Sequence, residues 1–207
     1  MRSREHWEVV YERKPADQVS WYRPHLEQSL AFIDAAGLSP DAAIIDVGGG
    51  ASTLVDDLLD RSHSNVTVLD VSPRAIDSAR SRLGNRAGRV HWLVADITTV
   101  ELAPAAYDFW HDRAVFHFLR DEADRRRYVA AVRRSVKPGG HVLVATFGPD
   151  GPTKCSGLEV VRYGADDLHA EFGGDFEKVG SATQVHTTPW GSEQQFVYCY
   201  CRLGASR

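Results

Sequence analysis

The alternation of short apolar runs with helical patterns is the feature that most constrains the fold of this chain. Five runs have the length and β-branched content of buried parallel strands. They occupy residues 42–48, 66–71, 90–97, 107–112 and 141–147. Helical patterns lie between them, at 53–62, 73–83 and 122–136. Because strand–helix–strand units join parallel neighbours, this order predicts a parallel sheet with helices on both faces.

The carboxyl-terminal part departs from this alternation. Its two apolar runs, 176–186 and 194–203, are separated by a turn-like segment instead of a helix. This spacing predicts an antiparallel pair that closes one edge of the sheet. The fold class is therefore α/β, a doubly wound sheet of seven strands. One domain is expected over residues 1–207, with residues 1–40 as an amino-terminal helical extension.

Composition excludes several function classes. The formal net charge of -4 provides no broad attraction to nucleic acid, which is not expected as a partner. No stretch approaches the roughly 18 apolar residues of a membrane span, and no secretion signal is evident, so a cytoplasmic location is expected. Cys199 and Cys201 are spaced to face the same side of a strand, which favours reduced thiols. No metal-ligand spacing is present, and the oligomeric state is not indicated.

A glycine loop, Gly48, Gly49 and Gly50, follows the first predicted strand and leads into a helix. Glycine permits positive φ and close approach of a ligand, and a helix amino terminus offers free N–H groups. An ordinary tight turn and a dinucleotide-binding loop are the alternatives. Thr53 argues against the dinucleotide loop, because that fingerprint needs a third small residue there. Asp46 favours a ligand with a positive amino group and would repel a pyrophosphate.

Two further aspartates follow the next two predicted strands. Asp70 lies 22 residues after Gly48, the distance at which an acidic side chain meets ribose hydroxyls. Asp96 is placed to accept a hydrogen bond from an adenine amine, with Ile97 against the ring. Each aspartate alone is equally compatible with a helix cap or a solvated loop. Three carboxylates at the carboxyl ends of successive parallel strands favour a site for an adenosine-containing ligand.

The motifs DVGGG, VLDVS, VADI, YDFW and VKPGG resemble, in order and spacing, those of the class I S-adenosylmethionine-dependent methyltransferases. The resemblance runs from about residue 40 to the end. It implies a Rossmann-like methyltransferase fold with strand order 3-2-1-4-5-7-6 and strand 7 antiparallel. It also implies S-adenosylmethionine as cofactor. The expected cofactor-binding residues are Tyr11, Trp21, Asp46, Gly48, Gly49, Gly50, Asp70, Val71, Asp96, Ile97 and His111.

A narrower resemblance begins after the fourth strand. The segment 110–115 (WHDRAV), continued by Asp124, Arg125 and Tyr128, is similar to a stretch of the thiopurine S-methyltransferase group, whose members methylate thiols, chalcogen compounds or halides. Ala114 stands where that group has glycine. Small protein-lysine methyltransferases share a related pattern. A small-molecule acceptor with a soft nucleophile is therefore expected. A protein-lysine methyltransferase, a non-catalytic S-adenosylmethionine-binding domain and a nicotinamide-dependent oxidoreductase are the alternatives.

The acceptor is expected to meet His111, Asp112 and Arg113, which end the fourth predicted strand beside the point where the strand order reverses. Histidine is the natural proton acceptor near neutral pH, so these three are the candidate catalytic residues. Pairing of Asp112 with Arg113 or with a helix end is the alternative. His117 lies in an apolar run, where a core role competes with a functional one.

An aromatic amino-terminal cluster is the last candidate element. Trp7 and Tyr11 share a helical face, and Trp21 follows after a turn. The cluster is either a core patch or a lid, and aromatic faces favour a sulfonium. Cys155 either lines the acceptor pocket, binds a soft metalloid or is structural. Trp190, between the last two strands, either reaches over the same edge or belongs to a hairpin turn.

Overall fold

The computed structural model describes residues 4–13 and 15–205. Its helices are α1 (Arg4–Arg13), α2 (Glu27–Ala35), α3 (Leu54–Asp60), α4 (Pro73–Leu83), α5 (Glu122–Ser135) and α6 (Ala165–Phe172). Its main strands are β1 (Ala43–Val47), β2 (Asn65–Asp70), β3 (Val90–Val94), β4 (Tyr107–Arg113), β5 (Val136–Phe147), β6 (Phe176–Thr187) and β7 (Glu193–Leu203). A separate hairpin pairs Lys154–Cys155 with Leu158–Glu159. Short 3-10 segments occupy Ala16–Gln18, Gly84–Arg89 and Phe116–Phe118.

The seven main strands form one sheet in the order β3-β2-β1-β4-β5-β7-β6. The first five are parallel, and β7 runs antiparallel to both β5 and β6. This arrangement confirms the predicted fold class and strand order. It also brings the carboxyl ends of β1, β2 and β4 to one edge, where strand order reverses between β1 and β4.

Two hydrophobic clusters cover the two faces of the sheet. Ile44 and Ile45 are neighbours in β1, yet each belongs to a different cluster, because successive side chains of a strand point to opposite faces. Helices α5 and α6 contribute to the cluster of Ile45, and α2, α3 and α4 to that of Ile44. Burying one such side chain stabilises the fold by about 1.5–3 kcal/mol. The central strands are thus anchored from both sides, which makes their carboxyl ends a rigid platform.

Two local expectations need correction. The fifth strand, predicted at 141–147, begins earlier, at Val136, so that the segment 137–140 (KPGG) lies within β5. Val136 already pairs with Tyr107, and a register shift separates this pair from that of Phe109 with His141, so the irregularity is absorbed inside the ladder. Helix α6 was not predicted at all. Its eight residues fill the connection that leads to β6 and place Leu168 and Phe172 in the core.

Helix α1 lies against the amino terminus of α4. The Glu8 carboxylate accepts hydrogen bonds from Ser72 Oγ at 2.5 Å and from the Arg74 backbone N at 3.2 Å. Arg74 Nε also lies 3.2 Å from the second carboxylate oxygen. Arg4 Nε donates to the Val71 carbonyl at 3.2 Å. Because Val71 and Ser72 directly follow β2, these contacts place α1 across the carboxyl edge of the sheet.

Within the described ranges, no helix is long and apolar enough to cross a membrane. Cys155, Cys199 and Cys201 are buried and free. Cys199 and Cys201 face the same side of β7, and their sulfur atoms lie 3.4 Å apart.

Candidate active site

A cavity opens at the carboxyl ends of β1, β2 and β4, with an empty volume of about 940 Å³ including its mouth. Ten of the predicted site residues line it. They are Tyr11, Trp21, Asp46, Gly48, Gly49, Asp70, Val71, Ile97, His111 and Arg113. The cavity therefore lies where the aspartates and the glycine loop predicted a ligand site.

Close packing around the loop requires glycine at positions 48 and 49. Gly48 has φ +72°, and a Cβ atom at this position would lie 2.0 Å from Val115 Cγ2. A Cβ on Gly49 would lie 2.1 Å from Asp46 Oδ2. The Gly48 backbone N donates to the Leu69 carbonyl at 2.6 Å, which ties the loop to β2. Side chains are thus excluded where the loop approaches the cavity.

Asp46, on β1, holds a buried carboxylate beside the glycine loop. Its Oδ1 lies 2.7 Å from His111 Nδ1, and His111 Nε2 lies 2.9 Å from Ser29 Oγ. Asp46 Oδ2 is buried and has no hydrogen-bond partner. An unsatisfied buried carboxylate oxygen is costly, so this atom is poised for a cationic donor from a ligand.

Asp70, at the end of β2, is held by two backbone amides. Its Oδ1 accepts from the Ser72 N at 2.8 Å, and its Oδ2 accepts from the Gly50 N at 3.0 Å. Each oxygen retains capacity for one more donor. Burial raises the pKa of Asp70 to about 6, against the lowering effect of these amides. Gly50 therefore serves to position Asp70, and it is not among the described residues that line the cavity.

Asp96 is placed differently from the other two aspartates. Its Oδ1 accepts hydrogen bonds from the Thr98 backbone N at 2.8 Å and from Thr98 Oγ1 at 2.7 Å. The residue is partly exposed, and the cavity wall at this point is formed by Ala95 and Ile97. A contact between Asp96 and a ligand stays a prediction.

The end of β4 separates three residues that were expected to act together. His111 and Arg113 face the cavity, whereas Asp112 faces the opposite side, because strand side chains alternate. Asp112 accepts hydrogen bonds from Tyr128 Oη at 2.6 Å and from the Val115 N at 2.9 Å. Burial raises its pKa to about 6. The structure therefore contradicts a catalytic role for Asp112, which instead organises the turn after β4.

Four aromatic rings close the cavity opposite the glycine loop. Trp7 lies 5.9 Å from Trp21 and 5.1 Å from Phe118, measured between ring centroids. Tyr11 lies 6.3 Å from Trp21. Burial raises the pKa of Tyr11 well above its usual value, so the phenol is neutral near pH 7. These rings form an apolar wall. Trp7, Tyr11 and Trp21 come from α1 and the segment that follows it, and Phe118 comes from the 3-10 segment after β4.

A family model described as a methyltransferase domain matches residues 44–140, which contain the glycine loop, Asp46, Asp70, Asp96 and the end of β4. The chain is thus similar to a methyltransferase domain over residues 44–140, just under half of its length. Its cofactor is S-adenosylmethionine. The cavity fits this molecule. The free oxygen of Asp46 suits the ammonium of the methionine moiety, and the free capacity of Asp70 suits the ribose hydroxyls.

Three known proteins are similar to this chain. Malonyl-[acyl-carrier protein] O-methyltransferase of Paenibacillus sp. (strain JDR-2) is 26% identical over 86% of this chain and 63% of its own length. The eEF1A lysine and N-terminal methyltransferase of Bos taurus is 26% identical over 67% of this chain and 20% of its own length. This chain thus spans less than two thirds of the length of each of these two relatives.

The third is a solved structure, the Burkholderia thailandensis 1,6-didemethyltoxoflavin-N1-methyltransferase with 1,6-didemethyltoxoflavin and S-adenosylhomocysteine bound. It is 19% identical, has a TM-score of 0.71, and covers 97% of this chain and 87% of its own. At this identity the similarity shows the fold alone.

The remaining predicted residues divide between the cavity, the core and the surface. Cys155 lines the cavity, and burial raises the pKa of its thiol to about 12. His117 lies in the core, where its Nδ1 accepts from the Phe147 N at 3.3 Å, and burial lowers its pKa to about 3. Trp190 is 57% exposed in the loop before β7 and is not among the described residues of the cavity wall.

Sequence reasoning missed several residues of this candidate site. Ser29 on α2 reaches His111, Tyr198 on β7 reaches Arg113, and Phe118 completes the aromatic wall. These contacts depend on how distant segments pack, and no local motif marks them. Glu8 gave a weak signal, because Ser72 and Pro73 predict a helix amino terminus that a carboxylate would stabilise.

Proposed function

We propose that the chain transfers the methyl group of S-adenosylmethionine to a small molecule whose accepting atom is a sulfur or a similarly soft nucleophile. The observation that carries this proposal is the engagement of both ring nitrogens of His111, by Asp46 and by Ser29. Among the described residues that line the cavity, His111 is the one imidazole. His111 therefore has no free ring nitrogen with which to deprotonate a hard acceptor such as an alcohol.

S-adenosylmethionine supplies an activated methyl group on a sulfonium sulfur. Thiols need little help to accept it, because a thiolate fraction exists near neutral pH and is a strong nucleophile. The thiol sulfur forms a bond to the methyl carbon, the bond to the sulfonium sulfur breaks, and its electron pair remains on S-adenosylhomocysteine. The thiol proton leaves to solvent. The chain contributes alignment and a dry cavity, which are the main requirements of an in-line displacement.

Residues 1–40 are proposed to act as a lid over this reaction. Trp7, Tyr11 and Trp21 from this extension form the apolar wall, and Glu8 fastens α1 to the start of α4. Aromatic faces also favour a sulfonium cation. A cavity closed on this side suits a small acceptor better than a polypeptide chain. This enclosure agrees with the resemblance to the thiopurine S-methyltransferase group.

A protein-lysine acceptor is the second candidate. It is favoured by the similarity to the Bos taurus eEF1A lysine and N-terminal methyltransferase, and aromatic walls also attract an ammonium group. It requires α1 to move aside, because the side chain would have to enter past Trp7 and Tyr11.

The test is a screen for S-adenosylhomocysteine production with small thiols, small amines, halides and a lysine-rich protein pool. The proposal predicts turnover with thiols above all other classes. Turnover confined to the protein pool would refute a small-molecule acceptor and support a protein-lysine acceptor. S-adenosylmethionine binding without turnover in any class would mean a non-catalytic binding domain. The Asp46→Asn variant serves as the matched control, since it should lose turnover with every acceptor.

A further inference from the structure

The guanidinium of Arg113 has one donor that the structure leaves without a partner. Arg113 is 9% exposed, lines the cavity, and its Nη2 is buried and unbonded. The other two nitrogens are engaged, since Nε donates to Tyr198 Oη at 3.3 Å and Nη1 to the Trp21 carbonyl at 3.0 Å. Its Cζ lies 4.2 Å from the centroid of the Phe196 ring. All these partners are neutral.

Nothing described around Arg113 balances its charge. No carboxylate in the described ranges lies within 4.0 Å of this guanidinium. Burial and the charge of Arg113 lower the pKa of both His117 and His186, so neither ring is ionised near pH 7. The Cys155 thiol is protonated for the same reason of burial. A buried cation without a counter-ion is costly, which makes a ligand anion favourable here.

Arg23 provides the internal comparison. It lines the same cavity, but its Nη2 lies 2.9 Å from Glu27 Oε2 and is therefore already neutralised. Arg23 thus has a carboxylate partner within the protein, whereas Arg113 retains an unpaired donor for an anionic ligand.

Arg113 also lies on the acceptor side of the cavity. Asp46 and Asp70, which suit the cofactor, belong to β1 and β2. Arg113 instead packs on Phe196 and Tyr198 of β7, which lies on the other side of β4 in the sheet. The cofactor and the guanidinium are therefore held by opposite halves of the sheet.

We propose that the acceptor of this chain, within the proposed function, carries a carboxylate that pairs with the free Nη2 of Arg113 and anchors the nucleophile over the methyl group. A carboxylate matches one free guanidinium in charge, whereas a phosphate dianion would need further donors. The carboxylate is the anchor and not the accepting atom, because pairing with Arg113 withdraws electron density from its oxygens. The acceptor class is thus a small thiol acid.

The test compares 3-mercaptopropionate with its methyl ester as methyl acceptors. The wild-type chain should prefer the acid by at least about tenfold in kcat/KM, which corresponds to about 1.4 kcal/mol. Arg113→Gln should remove this preference, and Arg113→Lys should keep part of it, since lysine retains the charge without the planar fork. Arg133→Gln is the matched control, because Arg133 is exposed on α5 and pairs with Asp175.

Two outcomes of this kinetic comparison overturn the inference while separating it from the proposed function. Equal rates for acid and ester in the wild type would leave sulfur methylation intact and refute the anchor. An Arg113→Gln variant that keeps the preference but binds S-adenosylmethionine poorly would assign the guanidinium to the carboxylate of the cofactor.

If neither thiol is methylated, the sulfur acceptor is wrong, and binding decides the anchor separately. Calorimetry on the protein loaded with S-adenosylhomocysteine would compare 3-(methylthio)propionate with its methyl ester. Tighter binding of the acid, lost in Arg113→Gln, would support the anchor, and equal or weaker binding would refute it.

Discussion

Replacement of Asp70 by asparagine is expected to weaken S-adenosylmethionine binding by about 1.5–3 kcal/mol, or roughly 10- to 150-fold in Kd. The magnitude follows from the contacts of the carboxylate. Each oxygen accepts one backbone amide, from Ser72 or from Gly50, and keeps one site for a ribose hydroxyl. Asparagine removes the charge and turns one acceptor into an NH₂ group that faces a backbone N–H.

The assay is isothermal titration calorimetry with S-adenosylmethionine and S-adenosylhomocysteine at pH 7.5. Circular dichroism establishes that the Asp70→Asn variant is folded. Asp77→Asn is the matched control, because Asp77 is exposed on the neighbouring helix α4. An unchanged Kd in a folded Asp70→Asn variant would refute the assignment of this carboxylate to the cofactor.

The other predictions concern the lid, the histidine and the pH. Glu8→Ala should accelerate cofactor release about five- to tenfold, because three contacts of α1 are lost. Stopped-flow tryptophan fluorescence measures this rate. Glu5, exposed on the same helix, provides the control, and Glu5→Ala should leave the rate unchanged. His111→Asn should raise the cofactor Kd and leave kcat at saturation within about threefold if His111 only orients Asp46; a collapse of kcat at unchanged Kd would instead identify a base. The pKa of Asp70 is raised to about 6, so the folded state binds this proton more tightly than the unfolded state. Wild-type stability relative to Asp70→Asn should therefore fall as pH rises from about 4 to about 6.5, by up to about 3 kcal/mol, and a flat difference in urea titrations would contradict the raised pKa.

Helices and strands could be predicted from the sequence where the local residue pattern matched the packing of the folded chain. The helix predicted at 73–83 has the observed bounds Pro73–Leu83, because a serine cap and a proline in the first turn mark its start. The central strands β1, β2 and β4 follow from apolar runs that are buried on both faces, whereas exposed positions recur along most of the edge strand β6. Segment 137–140 could not be placed in this way, since its pairing depends on a register shift against Tyr107 in β4.

The candidate site was predictable on the cofactor side and less so on the acceptor side. Asp46 and Asp70 are marked by their distance from the glycine loop, and both line the cavity. The error at Asp112 was avoidable, because the two-residue period of a strand already separates it from His111 and Arg113. The role of Ser29 could not be predicted from the sequence, because it depends on where α2 packs against β4.

A crystal structure of the protein with S-adenosylhomocysteine bound tests the central claim most directly. The account predicts the amino group within hydrogen-bond distance of Asp46 Oδ2, the ribose hydroxyls on Asp70, and the thioether sulfur directed toward the space between Trp21 and Arg113. A ligand whose ribose lies away from Asp70, or whose sulfur points away from Arg113, would contradict it.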